Sequence, residues 1–117
     1  MRTYFVLSLL ALLLTAKASA KTLYVSAQSA NPTEPYANWE TAANIIQEAV
    51  DLAEPGDTVF VSDGVYNQGG AVSPENALTN RVCVTNAITI QSINGPEHTT
   101  IVGQKNSSGG SWNGPGA

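Results

Sequence analysis

Pro55-Gly56-Asp57-Thr58-Val59-Phe60-Val61-Ser62-Asp63-Gly64-Val65-Tyr66 is the stretch on which the fold turns. Its opening Pro-Gly pair ends whatever precedes it, because proline cannot continue a helix and glycine takes up the positive φ of a chain reversal. From Thr58 the pattern alternates, with Val59 and Val61 on one face and Thr58 and Ser62 on the other, so this is a strand with one buried side. Asp63-Gly64 is a dipeptide that favours a two-residue hairpin. Only Val65-Tyr66 follows before Asn67-Gln68-Gly69-Gly70, which is too short a partner. The reading is therefore a corner, where one strand bends into the next.

Downstream, Arg81 to Val84, Ile88 to Ile93 and Thr100 to Val102 read as further strands, with Val82, Val84, Ile88 and Ile90 inward and Arg81, Thr89 and Gln91 outward. Upstream, Thr22-Leu23-Tyr24-Val25 is a short β-type run. The loop from Ser26 to Tyr36 follows, broken by Pro32 and Pro35. Between Trp39 and Ala53 the apolar residues Trp39, Ala42, Ala43, Ile46, Ala49, Val50 and Ala53 recur at three and four, which predicts one helix. Asn38 is its expected N-cap, Glu40 suits the positive N-terminal end, and Gly56 is the expected terminator. The polar residues Glu40, Asn44, Gln47, Glu48 and Asp51 form its expected solvated face.

One helix for five or six strands excludes a doubly wound sheet, which needs helices on both faces. Short strands that stack coil upon coil need a helix only at the open end. The fold class expected is thus an all-β solenoid with an amphipathic capping helix, holding roughly two or three turns.

Composition narrows the partners. The chain has 117 residues, a formal charge of −4, 10 Gly, 6 Pro, one Cys and one His. A disulfide framework and a Cys/His zinc cage are excluded. The cations Arg2, Lys17, Lys21, Arg81 and Lys105 are scattered, which argues against nucleic acid. Arg2, the apolar run Tyr4 to Leu14 and the small residues Ala18-Ser19-Ala20 form a secretory signal pattern with cleavage expected after Ala20. That run is too short to span a bilayer, and cleavage after Ala20 removes Arg2 and Lys17, taking the formal charge to −6. The expected organisation is a signal peptide at 1–20, then strand, loop and capping helix at 21–56. Strands occupy 57–103, and an unfinished Gly/Ser-rich segment fills 104–117.

From Thr22 to Gly103 the chain resembles the N-terminal cap and first coils of secreted right-handed parallel β-helix proteins of the pectate-lyase-like superfamily, in particular their bacterial surface members. The resemblance rests on Leu23-Tyr24-Val25, the Trp39 to Val50 helix, Pro55-Gly56-Asp57-Thr58-Val59-Phe60-Val61 with Gly64-Val65-Tyr66, and the later Arg81-Val82-Cys83-Val84. It extends through Ile88-Thr89-Ile90-Gln91-Ser92, Asn94-Gly95-Pro96 and Thr100-Ile101-Val102-Gly103. It implies a helix that plugs the end of a solenoid and a right-handed coil. It also implies that a catalytic basic residue, and any calcium ligands, belong to later coils.

No catalytic, cofactor-binding or metal position is assigned. The carboxylates Glu34, Glu40, Glu48, Asp51, Glu54, Asp57, Asp63, Glu75 and Glu97 show no paired acid/base arrangement. Asp57 and Asp63 read as turn residues, His98 as an exposed turn residue, Cys83 as a small half-buried side chain, and Tyr66 as a core-edge ring rather than a sugar-stacking one. Asn106-Ser107-Ser108 matches a glycosylation acceptor, and Trp112 sits oddly in a Gly/Ser-rich segment, as though another unit began there. Two functional classes follow. One is the leading segment of a secreted, periplasmic or surface β-helix protein, non-catalytic in itself, whose solenoid binds polysaccharide. The other is the leading portion of a polysaccharide lyase or glycoside hydrolase with its active site beyond residue 117. Self-association through an unfinished strand edge is expected in either case.

Overall fold

The computed structural model describes residues 19–75 and 78–103. In chain order the elements are β1 (Thr22–Val25), a single 3-10 turn (Trp39–Thr41), α1 (Ile46–Leu52), β2 (Thr58–Val61), β3 (Gly64–Tyr66), β4 (Ala71–Val72), β5 (Thr79–Asn80), β6 (Thr89–Ser92) and β7 (Thr99–Ile101). The described residues form a small β-rich domain with parallel sheets and one α-helix. β1, β2 and β6 form one parallel sheet in that order, and β3 pairs in parallel with β7. β4 and β5 make a short antiparallel pair.

Register follows from the alternation. Leu23, Val59 and Ile90 lie side by side, as do Tyr24, Phe60 and Gln91. Leu23, Val25, Val59 and Val61 therefore share the inner face, and Val25 and Val59 are fully buried. Each such valine contributes about 1.5–3 kcal/mol by leaving water. Ile46, Ala49 and Val50 of α1 close this core from one side, together with Tyr36, Ala53 and Tyr66. The chain turns from β2 into β3 at Asp63-Gly64, where Gly64 has φ +150 and a Cβ would lie 3.3 Å from the Ala27 side chain. This is the expected corner. No hairpin forms, because Gly64 joins a sheet whose partner, β7, lies 35 residues further on.

The single helix expected from Trp39 to Ala53 is broken. Asn38 does cap its first turn, its Oδ1 accepting from the Thr41 N–H at 2.9 Å. The chain then leaves helical geometry at Ala42 (ψ 146), and Ala43 forms an isolated parallel bridge with Val25. The cause is the outer edge of β1, whose unpaired groups must be met. Ala43 donates to the Tyr24 carbonyl at 2.9 Å, Ser26 donates to Ala43 at 2.8 Å, and Tyr24 donates to Tyr36 at 2.9 Å. A continuous helix would spend the Ala43 groups on itself and leave that edge bare. α1 is consequently seven residues long and ends at Leu52, with the Ala53 N–H reaching Ala49 and Val50. Gly56 is not its terminator. It takes φ +92 in the following turn, and its N–H donates to Ala87.

Two residues of that stretch exchange roles. Trp39, expected on the buried stripe, is 40% exposed, whereas Gln47, expected in solvent, is 5% exposed. The Gln47 amide accepts from the Cys83 N–H at 2.7 Å and donates to the Cys83 carbonyl at 3.1 Å. That pairing also explains the second departure. Arg81 to Val84 is not a strand, because Gln47 occupies the backbone groups that a ladder would use. The nearby strand is β5 instead, Val82 packs only partly on the core, and Val84 is exposed.

Candidate functional site

Asp57 is buried, with Oδ1 accepting from the Lys21 N–H at 2.8 Å and Oδ2 from the Glu54 N–H at 2.9 Å. The Lys21 and Glu54 backbone donors, in that order, hold its carboxyl below the usual carboxylate range. Asp63 accepts from the Asn94 side chain at 2.9 Å, across the corner. His98 is exposed and its carbonyl accepts from Gly64. Cys83 is a free, half-buried thiol. Tyr66 is buried, its hydroxyl donating to the Ser62 carbonyl at 2.8 Å, so its ring offers no stacking face. Glu40, Glu48 and Asp51 are exposed. Burial pushes the Tyr36 phenol up, and the Glu48 and Glu34 carboxylates push the same way. Among the described residues no three His, Cys, Asp or Glu side chains gather into a metal-holding group.

Three surfaces stand out among the described residues. The first is a polar groove of 420 Å³ where the end of β1 meets the end of β3, lined by Ala27, Gln28, Ser29, Asn44, Asn67 and Gln68, with Val65 at its side. Asn44 shapes it by donating to the Ser26 and Ser29 carbonyls at 3.0 Å each. The Ser29 hydroxyl is buried there with no hydrogen-bond partner among the described residues.

The second is the outer face of the β1-β2-β6 sheet. Thr22 and Tyr24, Thr58 and Phe60, and Thr89 and Gln91 form an uncharged array in register. Trp39 stands edge-on to Tyr24 at 4.7 Å and 71°, and Phe60 lies 6.2 Å from Tyr24 at 55°. The rings make an angular trough bordered by hydroxyl and amide groups. Tyr24 and Phe60 sit off the parity of Leu23, Val25, Val59 and Val61, so strand alternation already turned them outward. Nothing in the sequence brought Trp39 to join them, since helical spacing assigned it to the core.

The third is the far end of the core, where Ile46, Val61, Ile90, Pro96, Thr99 and Ile101 line an opening of 230 Å³. Among the described residues β6 pairs only with β2, and β7 only with β3.

The chain matches no family model, no curated protein and no solved structure. No helix among the described residues is long and apolar enough to cross a membrane. Residues 1–18 of the expected signal peptide at 1–20, and the segment from 104 to 117 with Trp112, lie outside the described residues.

Proposed function

We propose that this chain is the leading segment of a secreted or surface protein with a right-handed parallel β-helix, non-catalytic in itself, which caps and starts a solenoid that binds polysaccharide. The observation that carries the reading is the repeat of strand pairs. β2 with β3 and β6 with β7 stack in register at offsets of 31 and 35 residues, after β1 precedes β2 by 36. Sequence neighbours bend around a corner while sequence-distant strands pair in parallel, which is the connectivity of a coil. An edge of β1 met by Tyr36 and Ala43, and an apolar opening beside β6 and β7, support a solenoid that continues past β7.

The trough of Trp39, Tyr24 and Phe60 supports polysaccharide as the ligand. Aromatic faces carry partial negative charge and attract the C–H groups of a sugar ring, while Thr22, Thr58, Thr89 and Gln91 offer hydrogen bonds at its rim. The charge balance favours a neutral chain over a uronate polymer. Lys21 is paired with Glu54 at 3.6 Å, and the Arg81 guanidinium donates to the Val102 and Gly69 carbonyls at 2.7 and 2.6 Å.

Affinity electrophoresis of the exported chain through gels holding neutral glucans or polygalacturonate tests the reading. Retardation by a neutral polymer without depolymerisation is expected, with Trp39→Ala reducing it several-fold. Migration unaffected in every gel overturns the binding role, and newly released reducing ends or unsaturated products overturn the non-catalytic one.

A further inference from the structure

We propose that Asp57 and its surroundings form a binding site for the chain's own processed amino terminus, with cleavage after Ala20 turning the Lys21 backbone nitrogen into an α-ammonium that the Asp57 carboxylate holds. The position of the cut rests on the export reading above; the site itself rests on geometry.

The Lys21 nitrogen already lies 2.8 Å from Asp57 Oδ1. It is held there because the Lys21 carbonyl accepts from the Thr58 N–H at 3.0 Å, at the first rung of the β1–β2 ladder. Asp57 is fixed in turn, its second oxygen on the Glu54 N–H and its own N–H on the Glu54 carbonyl at 2.9 Å. Ser19 and Ala20 are exposed and outside any strand, so their removal disturbs no packing. Hydrolysis adds water across the Ala20–Lys21 bond. It leaves a carboxylate on Ala20 and an amine on Lys21 that takes a proton at neutral pH.

Before the cut, Asp57 is a buried carboxylate with two neutral amide donors, forms no ion pair among the described residues, and feels the Lys21 ammonium only from a distance. The Lys21 ammonium side chain is directed to Glu54 instead, in an exposed pair at 3.6 Å. After the cut, one of those donors carries a positive charge, and charge-assisted bonds of this kind are about twice as strong as neutral ones. The surrounding electrostatics agree. A cleft of 300 Å³ beside the nitrogen is lined by Lys21, Leu23, Glu34, Pro35, Leu52 and Asp57, so Glu34 adds negative potential there and Glu54 adds more from the turn. Lys21 itself stays exposed, which leaves the remaining ammonium protons to water. This is the capture of an amine by a preformed acceptor.

The test compares a chain that begins at Lys21, released from a fusion by a protease that leaves no extra residue, with one carrying Gly-Ser-Ala before Lys21. Each is also made with Asp57→Asn. At pH 6.5 the Lys21-first chain should melt about 5 °C above the extended one. The gap should close near pH 10, where the α-amine is neutral. It should vanish in Asp57→Asn. Reductive methylation supplies a readout that does not depend on the variant folding: the Lys21 α-amine should react at least tenfold more slowly than that of an unstructured peptide of the same start. Equal melts at pH 6.5, a gap that survives Asp57→Asn, or an α-amine as reactive as the peptide's would overturn the site. N-terminal sequencing of exported material separates the two readings, since a natural cut elsewhere would sink the processing step and leave the amine site standing.

Discussion

The outer edge of β1 and the outer edge of β6 begin as the same chemical object, a row of alternating backbone donors and acceptors beside an apolar core. They are treated in opposite ways. At β1 the segment from Thr33 to Ala43 supplies backbone partners for Tyr24 and Ser26, and α1 lays Ile46 and Val50 over the core. At β6 and β7 no described strand takes the free backbone edge, and the apolar opening beside them is lined by Ile46 of α1 without being closed. Thr89, Ile90, Gln91 and Ser92, like Thr99, Thr100 and Ile101, carry no charge or proline that would discourage a further strand. A closed edge needs both backbone satisfaction and apolar cover, and it draws them from residues far away in sequence. An open edge of this composition is suited to extension.

The largest effect should come from breaking the closed end. Ile46→Asp would bury an unpaired charge against Val25 and Val61 and cost about 3–5 kcal/mol, enough to abolish a cooperative melt in a domain of this size. A calorimetric trace like that of the parent would show that α1 does not seal the core.

Next in size is Gln47→Ala, which strips both backbone groups of Cys83 of their partners. The expected loss is about 1–3 kcal/mol by urea titration. From the sequence pattern alone this position would be ranked as a neutral surface site. A change within error would return it to that ranking and remove the explanation for the missing strand at Arg81 to Val84.

A third test concerns the turn beside β1. Because the carboxyl of Asp57 is held below its unfolded value, its share of stability is present above the ordinary carboxylate range and is lost as pH falls through the lowered value. The melting temperature of the parent should therefore hold steady down to about pH 4 and then drop, while Asp57→Asn starts lower and declines less steeply. Parallel curves for the two proteins would contradict this role of the Asp57 carboxylate.

The smallest change in stability should come from the open end. Thr100→Lys places a charge on the exposed edge strand β7 and should alter stability by less than about 0.5 kcal/mol. Its effect should be on association instead. Sedimentation velocity should show the parent forming larger species with concentration and the lysine variant remaining monomeric. A parent that stays monomeric at high concentration would mean that this edge is protected after all.

Local chemistry in the sequence determined a good part of this arrangement. Alternation placed Leu23, Val25, Val59 and Val61 inside, because a strand side chain can face only one of two ways. Asp63-Gly64, followed by too short a run, specified a corner, and Asn38 specified a cap that forms. Tertiary structure alone decided the break at Ala42 and Ala43, the burial of Gln47 and Asp57, the exposure of Trp39 and Val84, and the absence of a strand at Arg81 to Val84. Each of these depends on a hydrogen-bonding debt incurred elsewhere. The edge of β1 recruits Ala43, the backbone of Cys83 recruits Gln47, and the first rung of the β1–β2 ladder sets Lys21 against Asp57. Helical spacing from Trp39 to Ala53 records which residues are apolar. It does not record that a strand at Thr22–Val25 needs a neighbour, because that demand arises only when the two segments meet.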